Sequence, residues 1–252
     1  MSYFTLRSAG HPAITIDLND FESFHHALPV WYRGDAELAI LKAVTDGGTY
    51  IDVGANYGTY ALHVAQVPNV RVIAVEPQPD LAEALRRSRD VNGFRELEVV
   101  EAALGAESGT AVLALGDGSG SASLRHDRFS PDARKITVAM RTLDQLCRDL
   151  NVTDIRCVKL DVEGAEAGVV RGGIDTLRRE QPVVIFEAGS REPQAEVFEL
   201  LKDLGYSHFW DHSGVGVRSP VPPRLDLPLT NIVAVPAGVE SRLQAMLASL
   251  ER

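Results

Sequence analysis

Asp52, Glu76, Asp161 and Glu187 each stand at the end of a short apolar run, over residues 50–51, 70–75, 155–160 and 183–186. An acid in that position falls on the carboxyl rim of a parallel sheet, which is where open α/β folds bind their ligands. Carboxylates gathered on one rim repel each other and cost folding energy unless something pairs with them. Bound chemistry would relieve that cost. Such acids can accept hydrogen bonds from ribose hydroxyls, hold an ammonium group, or take the proton from an alcohol. Any one of them could instead cap the helix that follows.

The first acid opens Asp52-Val53-Gly54-Ala55-Asn56-Tyr57-Gly58. Gly54 and Gly58 suit a tight turn into a helix with close approach of backbone to ligand. Eighteen residues after Gly58, Glu76 precedes Pro77, at the position where an acidic side chain takes both hydroxyls of a ribose. The order of the turn differs from the G-x-G-x-x-G of dinucleotide oxidoreductases, with Ala55 where the close-approach glycine would stand, and no G-K-[ST] follows to make a P-loop. An acid directly before the turn also disfavours phosphates and suits a ligand with a cationic amine.

These segments must be positioned by alternating strands and helices, the pattern of a parallel sheet covered on both faces. Residues 1–45 read as a small N-terminal cap, with strand-like pieces at 3–7 and 14–18, and with Asp35 capping a helix that carries Leu38, Leu41 and Val44. Residues 46–252 read as the main domain. Asp80 and Glu83 would begin its second helix as a capping-box variant, and Asn92-Gly93 would end it. Between 105 and 144 the alternation stops, and β-like stretches at 110–115 and 136–143 enclose a Gly- and Ser-rich loop, expected to be mobile. Helices are expected over 143–150 and 192–204, the helix after Asp161 closes at Gly172-Gly173, and 239–250 reads as an amphipathic helix.

At 252 residues, 45% of them hydrophobic, the chain can bury a full core. A net charge of −10 argues against a nucleic-acid partner, because phosphate neutralisation needs clustered Lys and Arg. Two cysteines, Cys147 and Cys157, make no disulfide framework or zinc spacing and fit a reducing compartment. No basic leader with an apolar core opens the chain and no apolar run approaches the ~20 residues of a membrane span, so a cytoplasmic protein is expected.

The chain resembles the FkbM family of class I S-adenosylmethionine-dependent methyltransferases. The resemblance rests on five segments in order: Asp52 through Gly58; Val75-Glu76-Pro77; Arg141-Thr142-Leu143-Asp144; Val158-Lys159-Leu160-Asp161-Val162-Glu163-Gly164-Ala165-Glu166; and residues 182–187. It implies a Rossmann-like α/β fold with a mostly parallel seven-stranded sheet, its last strand antiparallel. It also implies S-adenosylmethionine as cofactor. Asp52, Gly54, Ala55, Asn56 and Gly58 would surround the methionyl part, Glu76 with Pro77 the ribose, and Glu101 with Ala102 the adenine. Asp161 would face the amino group or the reacting centre. The acceptor implied is a hydroxyl on a small metabolite, sugar or glycan. Asp161, Glu163, Glu187 and His212 are the candidate general bases, and Lys159 is placed to pair with a rim acid. No metal is expected, although Asp161 and Glu187 could offer oxygen ligands. A homodimer is compatible with the sequence. A nicotinamide-dependent oxidoreductase and a non-catalytic cofactor-binding or interaction domain stay open as alternatives.

Overall fold

The computed structural model describes residues 3–17, 38, 41–42, 44–116, 122–124, 132–188, 193–212 and 230–239. Asp35, the proline-rich stretch 213–229 and the helix expected over 239–250 lie outside these residues, apart from Val239. Strands β1 (Tyr3–Leu6) and β2 (Ile14–Asp17) pair antiparallel. Leu38, Leu41 and Val44 are helical and buried, which fits their three-residue spacing on one helix face.

From there the chain alternates: β3 (Gly48–Val53), α1 (Thr59–Val64), β4 (Val70–Val75), α2 (Pro79–Asn92) and β5 (Leu97–Val100). Next come β6 (Ala103–Leu104), β7 (Gly109–Ala114), β8 (Lys135–Arg141), α3 (Leu143–Asp149) and β9 (Ile155–Leu160). The chain continues through α4 (Glu166–Arg171), α5 (Ile174–Glu180), β10 (Val183–Ala188), α6 (Pro193–Asp203), β11 (Tyr206–His212) and β12 (Thr230–Pro236).

Seven of these strands form the central sheet in the order β11-β12-β10-β9-β3-β4-β5. All neighbours are parallel except β12, which runs antiparallel to both β10 and β11. This is the mostly parallel sheet with an antiparallel last strand that the sequence implied. The chain runs outward from β3 to β5 and returns to the other side of β3 as β9, so strand order reverses between β3 and β9. Ligands of such sheets bind at that reversal.

Side-chain alternation splits each strand between two cores. Ile51, Val53, Val158, Leu160, Val184 and Phe186 fill one face, while Tyr50, Cys157, Val183 and Ile185 fill the other. Both cysteines are buried and free. The insertion between β5 and α3 forms its own three-stranded sheet, β6-β8-β7, with Ala103, Leu113 and Val138 at its apolar centre. Among the described residues no helix is long and apolar enough to cross a membrane.

Three details differ from the expected elements. Helix α2 is capped by Gln78 with Pro79 at its first position, since proline's fixed φ suits that place, and Glu83 pairs with Arg87 instead of closing a capping box. Its other end matches the expectation, because Gly93 takes the left-handed conformation and Phe94 donates back to the Arg89 carbonyl. The stretch after Gly172-Gly173 is a further helix, α5, and Leu143 belongs to α3 and not to the preceding strand.

Candidate functional site

The turn after β3 is built from backbone contacts. The amides of Gly54 and Ala55 both donate to the Val75 carbonyl, at 2.9 and 3.0 Å, which ties the turn to the end of β4. Asn56 takes a left-handed φ of 53°, directing its own N–H at Glu76 Oε2, 2.8 Å away. The other oxygen of Glu76 accepts from the Gln78 amide at 2.9 Å. One buried carboxylate thus holds the β3 turn and the start of α2 together. Burial pushes the Glu76 carboxyl up to about 7 against the pull of those two amides. Each oxygen keeps a second lone pair for a ligand.

Across the strand reversal, the Asp161 amide donates to the Val53 carbonyl at 2.9 Å. Residues 161–164 then form a bend in which Glu163 has a φ of 55° and Gly164 one of 95°. Glu166, in the first turn of α4 and buried, stabilises the bend by accepting from the amides of Val162 and Gly164 at 3.2 and 3.1 Å. Its carboxyl is raised above the usual range by burial. From the insertion, the buried Ser123 donates its hydroxyl to the Glu163 carbonyl at 2.8 Å. Ser123 also exchanges backbone hydrogen bonds with Ala114 at the end of β7.

Between these two loops lies a cleft of about 730 Å³, part of it open to solvent. Gly54, Asn56, Glu76, Asp161 and Glu163 line its polar side, and Ala102, Leu104, Leu113 and Leu124 belong to its apolar wall. A cleft with an apolar wall and a few convergent polar groups has the form of a small-molecule site.

Of the residues expected to touch a cofactor, Gly54, Asn56, Glu76, Pro77, Ala102 and Asp161 line the cleft. Asp52, Ala55, Gly58 and Glu101 are outside the lining. Asp52 points to the sheet face that carries Tyr50 and Cys157 and is 1% exposed. Burial raises its carboxyl to about 6 against the attraction of Lys159 and the pull of the Tyr50 hydroxyl and the Ala61 amide. Gly58 starts α1 in a left-handed conformation and faces Leu85 of α2. Glu101 turns outward to an ion pair with Arg86 at 2.9 Å.

Three of the four candidate bases come together at the cleft rim. Asp161, Glu163 and Glu187 are half-buried, and each offers a carboxylate oxygen within 4.8 Å of the others. His212 ends β11 in register with Asn231, which is also the register partner of Glu187. Lys159 pairs with Asp161, its Nζ 2.7 Å from Oδ2. The apolar wall contributed by β6, β7 and residues 122–124 was not identified from sequence. The alternation of Thr110, Val112 and Ala114 against Ala111 and Leu113 signals a strand there, but nothing in it indicates which face meets a ligand.

A family model for the methyltransferase FkbM domain matches residues 52–207, a span that holds the turn, Glu76 and the Asp161 bend. The chain is 26% identical over 144 residues to the 2-O-methyltransferase NoeI of Sinorhizobium fredii, covering 51% of this chain and 58% of that one. It is 25% identical over 189 residues to the methyltransferase sdnD of Sordaria araneosa, covering 62% and 72%. The crystal structure of a methyltransferase FkbM from Methylobacillus flagellatus superposes with a TM-score of 0.48 at 16% identity, over 87% of this chain and 55% of that one. The chain therefore spans less than two thirds of NoeI and of the Methylobacillus flagellatus protein.

Proposed function

The chain belongs to the FkbM methyltransferase family, and on that premise we propose that it uses S-adenosylmethionine to methylate a hydroxyl group on a small metabolite, sugar or glycan. The observation that carries the reading is the cleft at the strand reversal, with buried Glu76 and the Asp161 bend on one side and an apolar wall on the other. Such a lining fits a molecule that has a flat aromatic end, a diol and a cationic amine. Bound there, the cofactor would supply an electrophilic methyl group on a sulfonium.

The protein's part would be to hold and orient. Glu76, already fixed by two amides, would accept from ribose hydroxyls with its remaining lone pairs. Asp161 would face the amino group. Aligning two reactants in this way can account for about 7–11 kcal/mol of barrier lowering. An alcohol acceptor must also lose its proton, and Glu187, Glu163 and His212 are the groups proposed to receive it, with Asp161 at the same rim. One relative, NoeI, is a 2-O-methyltransferase, which supports a hydroxyl acceptor.

The test compares thermal unfolding with S-adenosylhomocysteine, S-adenosylmethionine and NAD, since a ligand selective for the native state raises the melting temperature by mass action. Shifts with the first two alone are expected, followed by transfer of a labelled methyl group to members of a panel of hydroxylated acceptors. A shift with NAD alone would replace the reading with an oxidoreductase. Binding without transfer to any acceptor would favour a non-catalytic domain.

A further inference from the structure

Lys159 is the single buried Lys or Arg among the described residues, with 3% of its side chain exposed. Burying an ammonium group is costly unless it is closely paired, so its location needs partners that compensate. It lies on β9 directly in register with Asp52 of β3 and Ile185 of β10, which by strand alternation puts its side chain on the Asp52 face of the sheet. Its Nζ reaches Asp161 Oδ2 at 2.7 Å and lies 4.8 Å from the centre of the Tyr60 ring on α1. The ammonium therefore joins the buried Asp52 side of the sheet to Asp161, a rim carboxylate that lines the cleft at the strand reversal.

We propose that Lys159 is a positioning residue for the ligand's charged end: by holding Oδ2 of Asp161, it fixes that carboxylate so that Oδ1 is presented to a primary ammonium in the cleft. The proposal rests on the S-adenosylmethionine reading above and deepens it by assigning the amino-acid end of the cofactor to the Asp161 side. Lys159 itself does not line the cleft, so it would act through Asp161. Asp161 extends from a bend, and an unclamped carboxylate there would lose rotamer entropy on binding. A buried ammonium that already holds one oxygen reduces that loss in advance.

Two ligands separate this role from simple support of the fold. S-adenosylhomocysteine carries the amino-acid end, whereas 5′-methylthioadenosine has the same adenosine and thioether but lacks the amine and carboxylate. Calorimetric titration of the wild type with both is compared with the same titrations of Lys159→Met, after circular dichroism and thermal melting establish that the variant is folded. The expected result is S-adenosylhomocysteine affinity reduced about 10- to 100-fold, with 5′-methylthioadenosine affinity within about twofold of wild type. Asp161→Asn, which leaves Lys159 in place, should show the same selective loss. It carries the test if Lys159→Met does not fold. Equal weakening of both ligands, or of neither, would overturn the proposal while leaving the cofactor reading intact. A wild type that binds neither ligand would overturn both.

Discussion

Gly54 and Gly58 adopt nearly the same left-handed conformation, with φ values of 83° and 82°, for different reasons. A Cβ on Gly54 would overlap the Asp161 carbonyl, main chain that can yield only if the ends of β3 and β9 separate. A Cβ on Gly58 would overlap the tip of Leu85, a side chain able to turn aside. Gly54→Ala should therefore open the cleft at its base and abolish S-adenosylhomocysteine binding, whereas Gly58→Ala should lower stability by about 1–3 kcal/mol and keep binding. Calorimetry with urea denaturation checks both, and wild-type affinity in Gly54→Ala would remove that glycine from the site. The sequence placed both glycines at the ligand because D-x-G-x-x-x-G reveals a turn but not which neighbour approaches each residue. Asp52 shows the same limit of the sequence: a strand-end acid alternates to one face or the other, and the side facing the cleft is fixed only once the loops are in place.

Helix ends explain a segment that looks chemically active and is architectural. Within Arg141-Thr142-Leu143-Asp144, the Thr142 hydroxyl accepts from the Gln145 amide at 3.1 Å and so caps α3. Asp144 accepts from the amides of Thr176 and Asp175, at 2.8 and 3.3 Å, across the first turn of α5. Arg141 pairs with Asp149 at the far end of α3. Two helices are thus started from one short stretch, which gives this part of the family resemblance a structural cause. Asp144→Ala and Thr142→Ala should each cost about 1 kcal/mol of stability, measured by urea denaturation, and leave S-adenosylhomocysteine affinity unchanged. A fall in affinity with unaltered stability would move the segment into the site. At this scale the apolar periods were enough to locate the central strands and the long helices. Strand β6 stayed hidden because two residues display no period, and helix α5 because it follows α4 directly after Gly172-Gly173, with no strand between them to mark a new element.

Across the whole molecule, acids held in the interior give the fold a pH dependence with a definite sign. Burial raises Asp52 from 3.8 to about 6 and Glu76 from 4.5 to about 7, so the folded chain holds these protons more tightly than the unfolded chain. Their contribution to stability is fully present below about pH 4 and is lost as the pH rises through 6 and 7. Each shift corresponds to on the order of 3 kcal/mol. Glu76 titrates over an overlapping range, so the measurement that isolates Asp52 is the difference between wild type and Asp52→Asn. Asparagine has nearly the same shape and keeps an oxygen that can accept from the Tyr50 hydroxyl or the Ala61 amide. The variant should therefore gain on the wild type from about pH 4 to about pH 6, by up to about 3 kcal/mol, and hold that gain at higher pH, in denaturant midpoints taken at each pH. A difference that stays flat would mean that Asp52 titrates as it does in the unfolded chain, with Lys159 offsetting its burial in full. S-adenosylhomocysteine binding should persist in this variant, since Asp52 lies outside the cleft lining. Its loss would place the strand-end acid back in the role the sequence assigned it, acting on the cofactor through the sheet.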